Sequence, residues 1–226
     1  MDGRPAPERR EELVSLYKRA RTCTLCPLAE GRTQVVFGNG NADADLMFVG
    51  EAPGFHEDQQ GIPFVGRAGN LLSELLEGIG MSREEVFVAN VLKCRPPGNR
   101  DPQPDEIDTC KPYLFKQVEL IQPRVVCTLG NFATRLLTRS NRGITSVRGE
   151  PQVHELGARW VRIYPILHPA AALRIPRVKE QLQEDFARLP ALLAQPAPEP
   201  PGSVRVPAAV AAHEPEPSAD QLDLFG

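Results

Sequence analysis

Four short apolar runs, separated by segments with helical periodicity, constrain the fold of this chain more than any other feature. The runs lie at residues 46–50, 86–90, 124–130 and 161–168. Their length and their bounding turn residues are typical of buried strands. Helices are expected at 8–22, 67–79, 105–121, 132–138 and 179–189, with Asn131 a candidate N-cap and a hairpin at 144–160. The alternation predicts an α/β fold, a three-layer α/β/α sandwich with a central four-stranded, mostly parallel sheet.

The composition changes after residue 190, which predicts one folded domain over 1–190. Residues 191–220 are rich in Pro and Ala without periodicity, as expected of a disordered linker, and the apolar peptide 221–225 follows. From Ala191 onward the net charge is −4, so the whole-chain value of −3 leaves +1 for the part before it. A nearly neutral domain does not favour a large basic groove but permits a small DNA footprint.

The N-terminal segment is charged and lacks the apolar core of a signal peptide. No apolar run approaches the roughly 20 residues that span a bilayer. We therefore expect a cytoplasmic protein without a membrane partner.

Polar and glycine residues cluster where the expected strands end. Gly50–Gly54 follow the first strand, Asn90 ends the second, Gly130–Asn131 follow the third, and His168 ends the fourth. Because the carboxyl ends of parallel strands meet at one edge of a sheet, a ligand site is expected there. Each residue also has an ordinary interpretation, since Asn90 could be a turn residue and His168 a structural histidine.

Four of the five cysteines suggest a metal site. Cys23 and Cys26 form a CxxC pair, and Cys94 and Cys110 form a second, wider pair. Thiolates suit zinc or an iron–sulfur cluster, and the wide second pair weakly favours the cluster. Cys94 and Cys110 could instead be ordinary buried thiols. Cys127 lies within an apolar run and is interpreted as a core residue.

These motifs together resemble the family 4 uracil-DNA glycosylases, the iron–sulfur branch of their superfamily. The resemblance covers about residues 20–190, with Cys110 and the motifs CTLC at 23–26, GEAPG at 50–54, GIPFVGRAGNLL at 61–72, VFVANVLKCRPPGNRDPQPDE at 86–106 and HPAAALRIP at 168–176. It implies removal of a flipped uracil from DNA, which leaves an abasic site and initiates base excision repair. It also implies a structural [4Fe-4S] cluster on Cys23, Cys26, Cys94 and Cys110.

The resemblance further implies a uracil pocket, formed by Gly50, Glu51, Ala52, Phe64, Asn90 and His168. The Asn90 amide can pair with O4 and N3–H of uracil, and Phe64, otherwise a core aromatic, can stack on the base. His168 would donate to O2, and Glu51 would orient the catalytic pocket. Glu57 is a candidate for excluding the thymine methyl group. The loop RPPGNRDPQP has no histidine, so ordinary turnover without a trapped DNA adduct is expected.

Contacts with DNA are expected around residues 168–176, where Leu173 or Arg174 could enter the minor groove. Further candidates for phosphate contacts, or else for solvated surface charges, are Arg67, Lys93, Arg95, Arg100 and Arg148.

The C-terminal peptide resembles the segment by which bacterial repair proteins bind the DNA sliding clamp. Leu224 and Phe225 would be buried anchors, and Gln221 and Leu222 complete the motif. We expect the protein to be a monomer that associates with the nucleoid. Three rival interpretations are an iron–sulfur electron carrier, a non-catalytic DNA-binding module and a zinc protein with the same fold.

Overall fold

The computed structural model describes residues 4–199, in which helices and strands alternate. The strands are β1 (Asn39–Gly40), β2 (Leu46–Gly50), β3 (Phe87–Asn90), β4 (Val125–Leu129), β5 (Gln152–Leu156) and β6 (Arg159–Ile166). The helices are α1 (Ala6–Arg21), α2 (Leu28–Gly31), α3 (Phe55–Gln60), α4 (Arg67–Glu77), α5 (Pro104–Ile121), α6 (Gly130–Thr138), α7 (Ile144–Val147), α8 (Pro169–Ala172), α9 (Pro176–Ala187) and α10 (Leu189–Leu193). The predicted clamp-binding peptide, and the predicted linker beyond residue 199, lie outside the described residues.

All six strands form one sheet in the order β1-β3-β2-β4-β6-β5. The four central strands are parallel, with Gly50 opposite Asn90 and Phe48 opposite Cys127. These are the four predicted strands, so the predicted parallel centre of the sheet is confirmed. The two antiparallel edge strands were not predicted individually, because β1 has only two residues and β5 is largely exposed on one face.

Two hydrophobic cores cover the two faces of the sheet, which confirms the three-layer arrangement. Successive residues of β2 alternate between them, as the period of a strand requires. Met47 and Val49 join the core formed with α1, α5 and α6, whereas Leu46 and Phe48 join the core formed with α4, α9 and α10. None of the helices within residues 4–199 combines the length and the apolar character needed to cross a membrane.

The structure corrects several predicted boundaries. Helix α6 begins at Gly130, so Asn131 does not cap it; the Asn131 side chain instead accepts a hydrogen bond from the Ile144 N–H at 2.7 Å. Only the second half of the predicted hairpin segment forms a hairpin, since 144–147 is helical. Helix α10 continues to Leu193, beyond the predicted domain boundary, because Leu192 is buried in the core.

Candidate active site and cysteine cavity

A cavity of about 340 Å³ opens at the carboxyl edge of the parallel strands. The turn after β2, the end of β3 and the start of α8 contribute to its wall. The lining residues are Glu51, Ala52, Pro53, Gly54, Glu57, Phe64, Ala68, Asn90, Pro96, Asn99, Arg100, His168 and Ala170. The sheet topology therefore brings together six of the seven predicted pocket residues, and Gly50 lies directly behind two of them.

Asn90 presents a buried amide to this cavity. The residue is only 2% exposed, and its side chain makes no hydrogen bond to any other residue in the range 4–199. Because this amide faces the cavity, its donor and its acceptor are both available to a molecule bound there. Its main chain is held firmly, because the Asn90 carbonyl accepts a hydrogen bond from the Lys93 Nζ at 2.8 Å.

Gly50 allows the Asn90 amide and the Phe64 ring to approach the end of β2. A Cβ atom at Gly50 would lie 2.4 Å from Asn90 Oδ1 and 2.8 Å from Phe64 Cζ. Both distances are far below van der Waals contact. The position therefore requires glycine for spatial reasons.

Phe64 and His168 form a second wall of the cavity. Their ring centres are 5.6 Å apart with an angle of 26° between the planes. Phe64 has a φ of +53°, an uncommon conformation for a bulky residue. It is supported by Gly69, where a Cβ atom would lie 1.7 Å from the Phe64 carbonyl oxygen. The glycines of the GRAG segment thus let helix α4 hold Phe64 at the cavity.

His168 is held as a neutral imidazole. Its Nδ1 accepts a hydrogen bond from the Ala170 N–H at 3.1 Å, so the ring proton resides on Nε2. Burial lowers the pKa of His168 from 6.5 to about 4. The side chain is therefore an uncharged hydrogen-bond donor at neutral pH.

Two acidic residues also line the cavity. Burial, and then the nearby Asp101 carboxylate, raise the pKa of Glu51. Glu51 and His168 also line a second cavity, of about 640 Å³, next to Asp101 and Arg135. Glu57 lies in the first turn of α3 and lines the first cavity.

The loop after β3 supplies the part of the wall that the prediction missed. Pro96, Asn99 and Arg100 line the cavity, and Arg100 donates two hydrogen bonds to Glu106, at 3.0 and 2.5 Å. Asn99 has a φ of +55°. The loop's position after a strand end, together with its Pro, Gly and Asn content, was the available signal for its role.

All four predicted ligand cysteines line a single small cavity. Cys23 and Cys26 come from the segment after α1, Cys94 from the loop after β3, and Cys110 from α5. Two of the sulfurs accept hydrogen bonds, Cys94 from Arg32 Nη1 at 3.4 Å and Cys110 from the Lys93 N–H at 3.3 Å. Burial raises the pKa of the Cys110 thiol to about 11. Cys127 lies apart in β4, fully buried, as predicted.

Lys93 lines the cysteine cavity and also contacts Asn90, which lines the 340 Å³ cavity. It is 2% exposed, and its Nζ donates to the Asn90 carbonyl and, at 2.6 Å, to Gln117 Oε1. Its prediction as a phosphate contact is therefore wrong. Arg148, another predicted phosphate contact, instead binds the buried Asp185 carboxylate through its guanidinium at 3.1 Å.

The segment after His168 lies beside the cavity. Leu173 is half-buried at the end of α8 and packs against the core, and it lines a shallow cleft with Arg67 and other residues of α4. Arg174 is exposed.

Comparison with known proteins adds independent information. A model of the uracil DNA glycosylase superfamily matches residues 37–189. The chain is 41% identical over 191 residues to a type-4 uracil-DNA glycosylase of Sulfurisphaera tokodaii, covering 82% of this chain and 87% of that protein. It is 47% identical over 167 residues to the type-4 enzyme of Thermotoga maritima, covering 73% and 85%. A type-5 uracil-DNA glycosylase of Pyrobaculum aerophilum is 32% identical over 146 residues, covering 58% and 63%.

Proposed function

This chain belongs to the uracil-DNA glycosylase superfamily, and we propose that it hydrolyses the N-glycosidic bond of uracil flipped out of DNA. The products are free uracil and an abasic site, which initiates base excision repair. The observation that carries the proposal is the buried Asn90 amide, which faces the cavity without a protein partner in residues 4–199.

Asn90 selects uracil by hydrogen bonding. Its amide can donate to O4 and accept from N3–H, whereas cytosine presents the opposite pattern and would leave polar atoms unpaired. Phe64 supplies the face on which the flipped base stacks. Glu57 excludes thymine by occupying the space that its methyl group would need.

Cleavage of the N-glycosidic bond leaves positive charge on the sugar and negative charge on the uracil base. The bond between N1 and C1′ breaks, and its electron pair leaves with uracil. His168 donates its Nε2–H to O2 and stabilises the developing anion, as a preorganised neutral donor can. Water adds to C1′, and its proton compensates the charge of the departing base. Glu51 orients the pocket from the end of β2.

Leu173 and Arg174 lie just after helix α8, which begins next to His168, and we assign them to the DNA strand at the mouth of the cavity. An apolar side chain here can enter the minor groove as the base leaves the helix. Arg174 supplies an exposed positive charge for phosphate.

A glycosylase assay tests the proposal. The substrate is a labelled oligonucleotide with one uracil, treated with alkali after incubation. The wild type should cleave it, and His168→Ala should lose about 10²–10³-fold in kcat because one anion-stabilising donor is removed. Asn90→Ala should lose a comparable factor in kcat/KM.

Matched controls are His154→Ala and Asn141→Ala. His154 pairs with Gln152 on the edge strand β5, and Asn141 is exposed in a loop, so neither lines the cavity. Both variants should retain wild-type activity. Absence of cleavage by the folded wild type would contradict the proposal and would favour a non-catalytic DNA-binding module.

We also propose that Cys23, Cys26, Cys94 and Cys110 hold a [4Fe-4S] cluster. The donor set fits this group. Four thiols line one cavity, two of them already accept N–H hydrogen bonds, and Arg32 and Lys93 complement the negative charge of a thiolate-bound cluster. Among residues 4–199, no three or more His, Cys, Asp and Glu side chains are grouped to hold one metal ion.

The cluster would act as a cross-link between the segment after α1, the loop after β3 and α5. Cys110→Ser should lower the iron and sulfide content and the melting temperature of the purified protein. Cys127→Ala is the control, since this thiol lies in the other core, and it should keep its iron. Stoichiometric zinc without iron in the wild type would contradict the assignment.

The C-terminal peptide 221–225 is proposed to bind the bacterial sliding clamp and so to retain a monomeric enzyme at the nucleoid. Its sequence, QLDLF, supplies two apolar anchors and one amide. Alanine at both Leu224 and Phe225 should abolish binding to the clamp, measured by surface plasmon resonance, and should preserve activity on a short oligonucleotide. Undiminished clamp affinity would contradict this proposal.

A further inference from the structure

Phe55 is an exposed aromatic residue at the mouth of the uracil cavity. It is the first residue of α3 and directly follows Gly54, which lines that cavity. Its exposed fraction is 52%, whereas every other phenylalanine in residues 4–199 is buried or half-buried.

Arg95, from the loop after β3, lies over this ring. Its guanidinium carbon lies 5.1 Å from the ring centre of Phe55, within the range of a cation–π interaction. Its Nε donates to Asn99 Oδ1 at 2.7 Å, and Asn99 itself lines the cavity. The loop after β3 therefore holds Arg95 in place over the start of α3.

The charge of Arg95 remains available to a ligand. Within residues 4–199 the guanidinium makes no ion pair, and Nε is the only one of its nitrogens that donates to a protein acceptor. An aromatic ring with an adjacent unpaired cation is the combination that binds single-stranded nucleic acid, because a base stacks on the ring and a phosphate meets the cation.

We propose that Phe55 and Arg95 form a stacking subsite for the unpaired base next to the flipped uracil in single-stranded DNA. The proposal rests on the function proposed above. Because consecutive nucleotides are covalently joined, the neighbour of a uracil held in the cavity lies at its mouth. In duplex DNA that neighbour stays paired with its complement, so the subsite acts mainly on single strands.

The test compares three substrates that all contain uracil. One is a single strand with normal bases, one is the same strand with abasic analogues on both sides of uracil, and one is a U·A duplex. Base stacking on an aromatic ring contributes about 1–3 kcal/mol, so Phe55→Ala should lower kcat/KM on the normal single strand about 5- to 150-fold. Phe55→Trp should restore most of this activity.

The substrate without flanking bases tests whether Phe55 acts by stacking on the base next to uracil. On it the wild type should be slow and Phe55→Ala should cause no further loss, and on the duplex the two proteins should be nearly equal. Val153→Ala is the control. Val153 is an exposed apolar residue on the edge strand β5 and does not line the cavity. Its activity should equal that of the wild type on all three substrates.

Arg95→Gln supplies a second measurement. The logarithm of the affinity for single strands depends on the logarithm of salt concentration with a slope of about −0.7 per phosphate contact, so the slope should become shallower by about 0.7. An equal loss for Phe55→Ala with and without flanking bases would overturn the proposal, as would full activity of Phe55→Ala on every strand. If the wild type removes no uracil from any substrate, the proposed function itself fails, which is a distinct result.

Discussion

Replacement of Gly50 by alanine tests the geometry of the proposed uracil pocket with one methyl group. Gly50 ends strand β2, where its extended backbone is one that alanine also adopts. The added Cβ would lie 2.4 Å from Asn90 Oδ1 and 2.8 Å from Phe64 Cζ. The two side chains assigned to base recognition are therefore the atoms that must move.

The size of the displacement follows from the contact distances. Asn90 Oδ1 must retreat by at least 0.6 Å to restore the 3.0 Å separation below which real Cβ contacts essentially never occur. A misplacement of about 1 Å in a positioning group can cost roughly 10²-fold in rate. We therefore expect kcat/KM on a uracil-containing oligonucleotide to fall by about two orders of magnitude.

The stability of the variant should change much less than its activity. Overpacking of this kind costs about 1–3 kcal/mol, which corresponds to about 2–4 °C in melting temperature per kcal/mol for a protein of this size. Gly31→Ala is the matched control, because a Cβ at Gly31 would meet no heavy atom within 4 Å among the described residues. Its activity and melting temperature should equal those of the wild type.

A double-mutant cycle identifies the route of the effect. If Gly50→Ala acts by displacing the Asn90 amide, it should cost far less in an Asn90→Ala background than in the wild type. Wild-type activity of a folded Gly50→Ala variant would refute the reasoning, since the pocket could not then depend on the close approach of these three residues.

Three further predictions follow from buried polar groups. Because the pKa of His168 is about 4 in the folded protein and near 6.5 when unfolded, the unfolded state binds more protons between these values. His168 should therefore remove on the order of 3 kcal/mol of stability as pH falls from 6.5 to 4, and in urea titrations His168→Gln should lack this loss. Arg148→Met should lower the free energy of unfolding by about 3 kcal/mol, because Asp185 is 1% exposed and would lose the cation hydrogen-bonded to it, keeping only the attraction of Arg188; a loss under about 1 kcal/mol would contradict this. Lys93→Met should weaken inhibition by free uracil about 5-fold or more, because the Asn90 carbonyl loses its donor; an unchanged inhibition constant would show that Lys93 does not position Asn90.

The main elements of the fold could be predicted from the sequence because local patterns report burial. Short apolar runs marked the four parallel strands, and helical periodicity marked α1, α4, α5, α6 and α9. The same reasoning missed α3 and α8, which are each one or two turns long and carry no full period. It also missed β1, which has two residues.

The candidate site was predictable only as a set of residues at strand ends. Parallel topology brings such ends together, so Glu51, Asn90 and His168 could be expected at one edge. The sequence also distinguished the four candidate ligand cysteines from Cys127, whose neighbours in the chain are apolar.

The tertiary structure alone decided how these residues meet. The left-handed backbone of Phe64, its stacking on His168 and the space provided by Gly50 arise from contacts between segments far apart in the chain. Lys93 is the clearest example. From the sequence, a lysine in a loop is expected to be a surface charge, but in the folded protein it is buried and donates a hydrogen bond to Gln117. A local pattern encodes the average burial of one segment, whereas the partner of a side chain depends on the order in which the strands pack, and that order is a property of the whole chain.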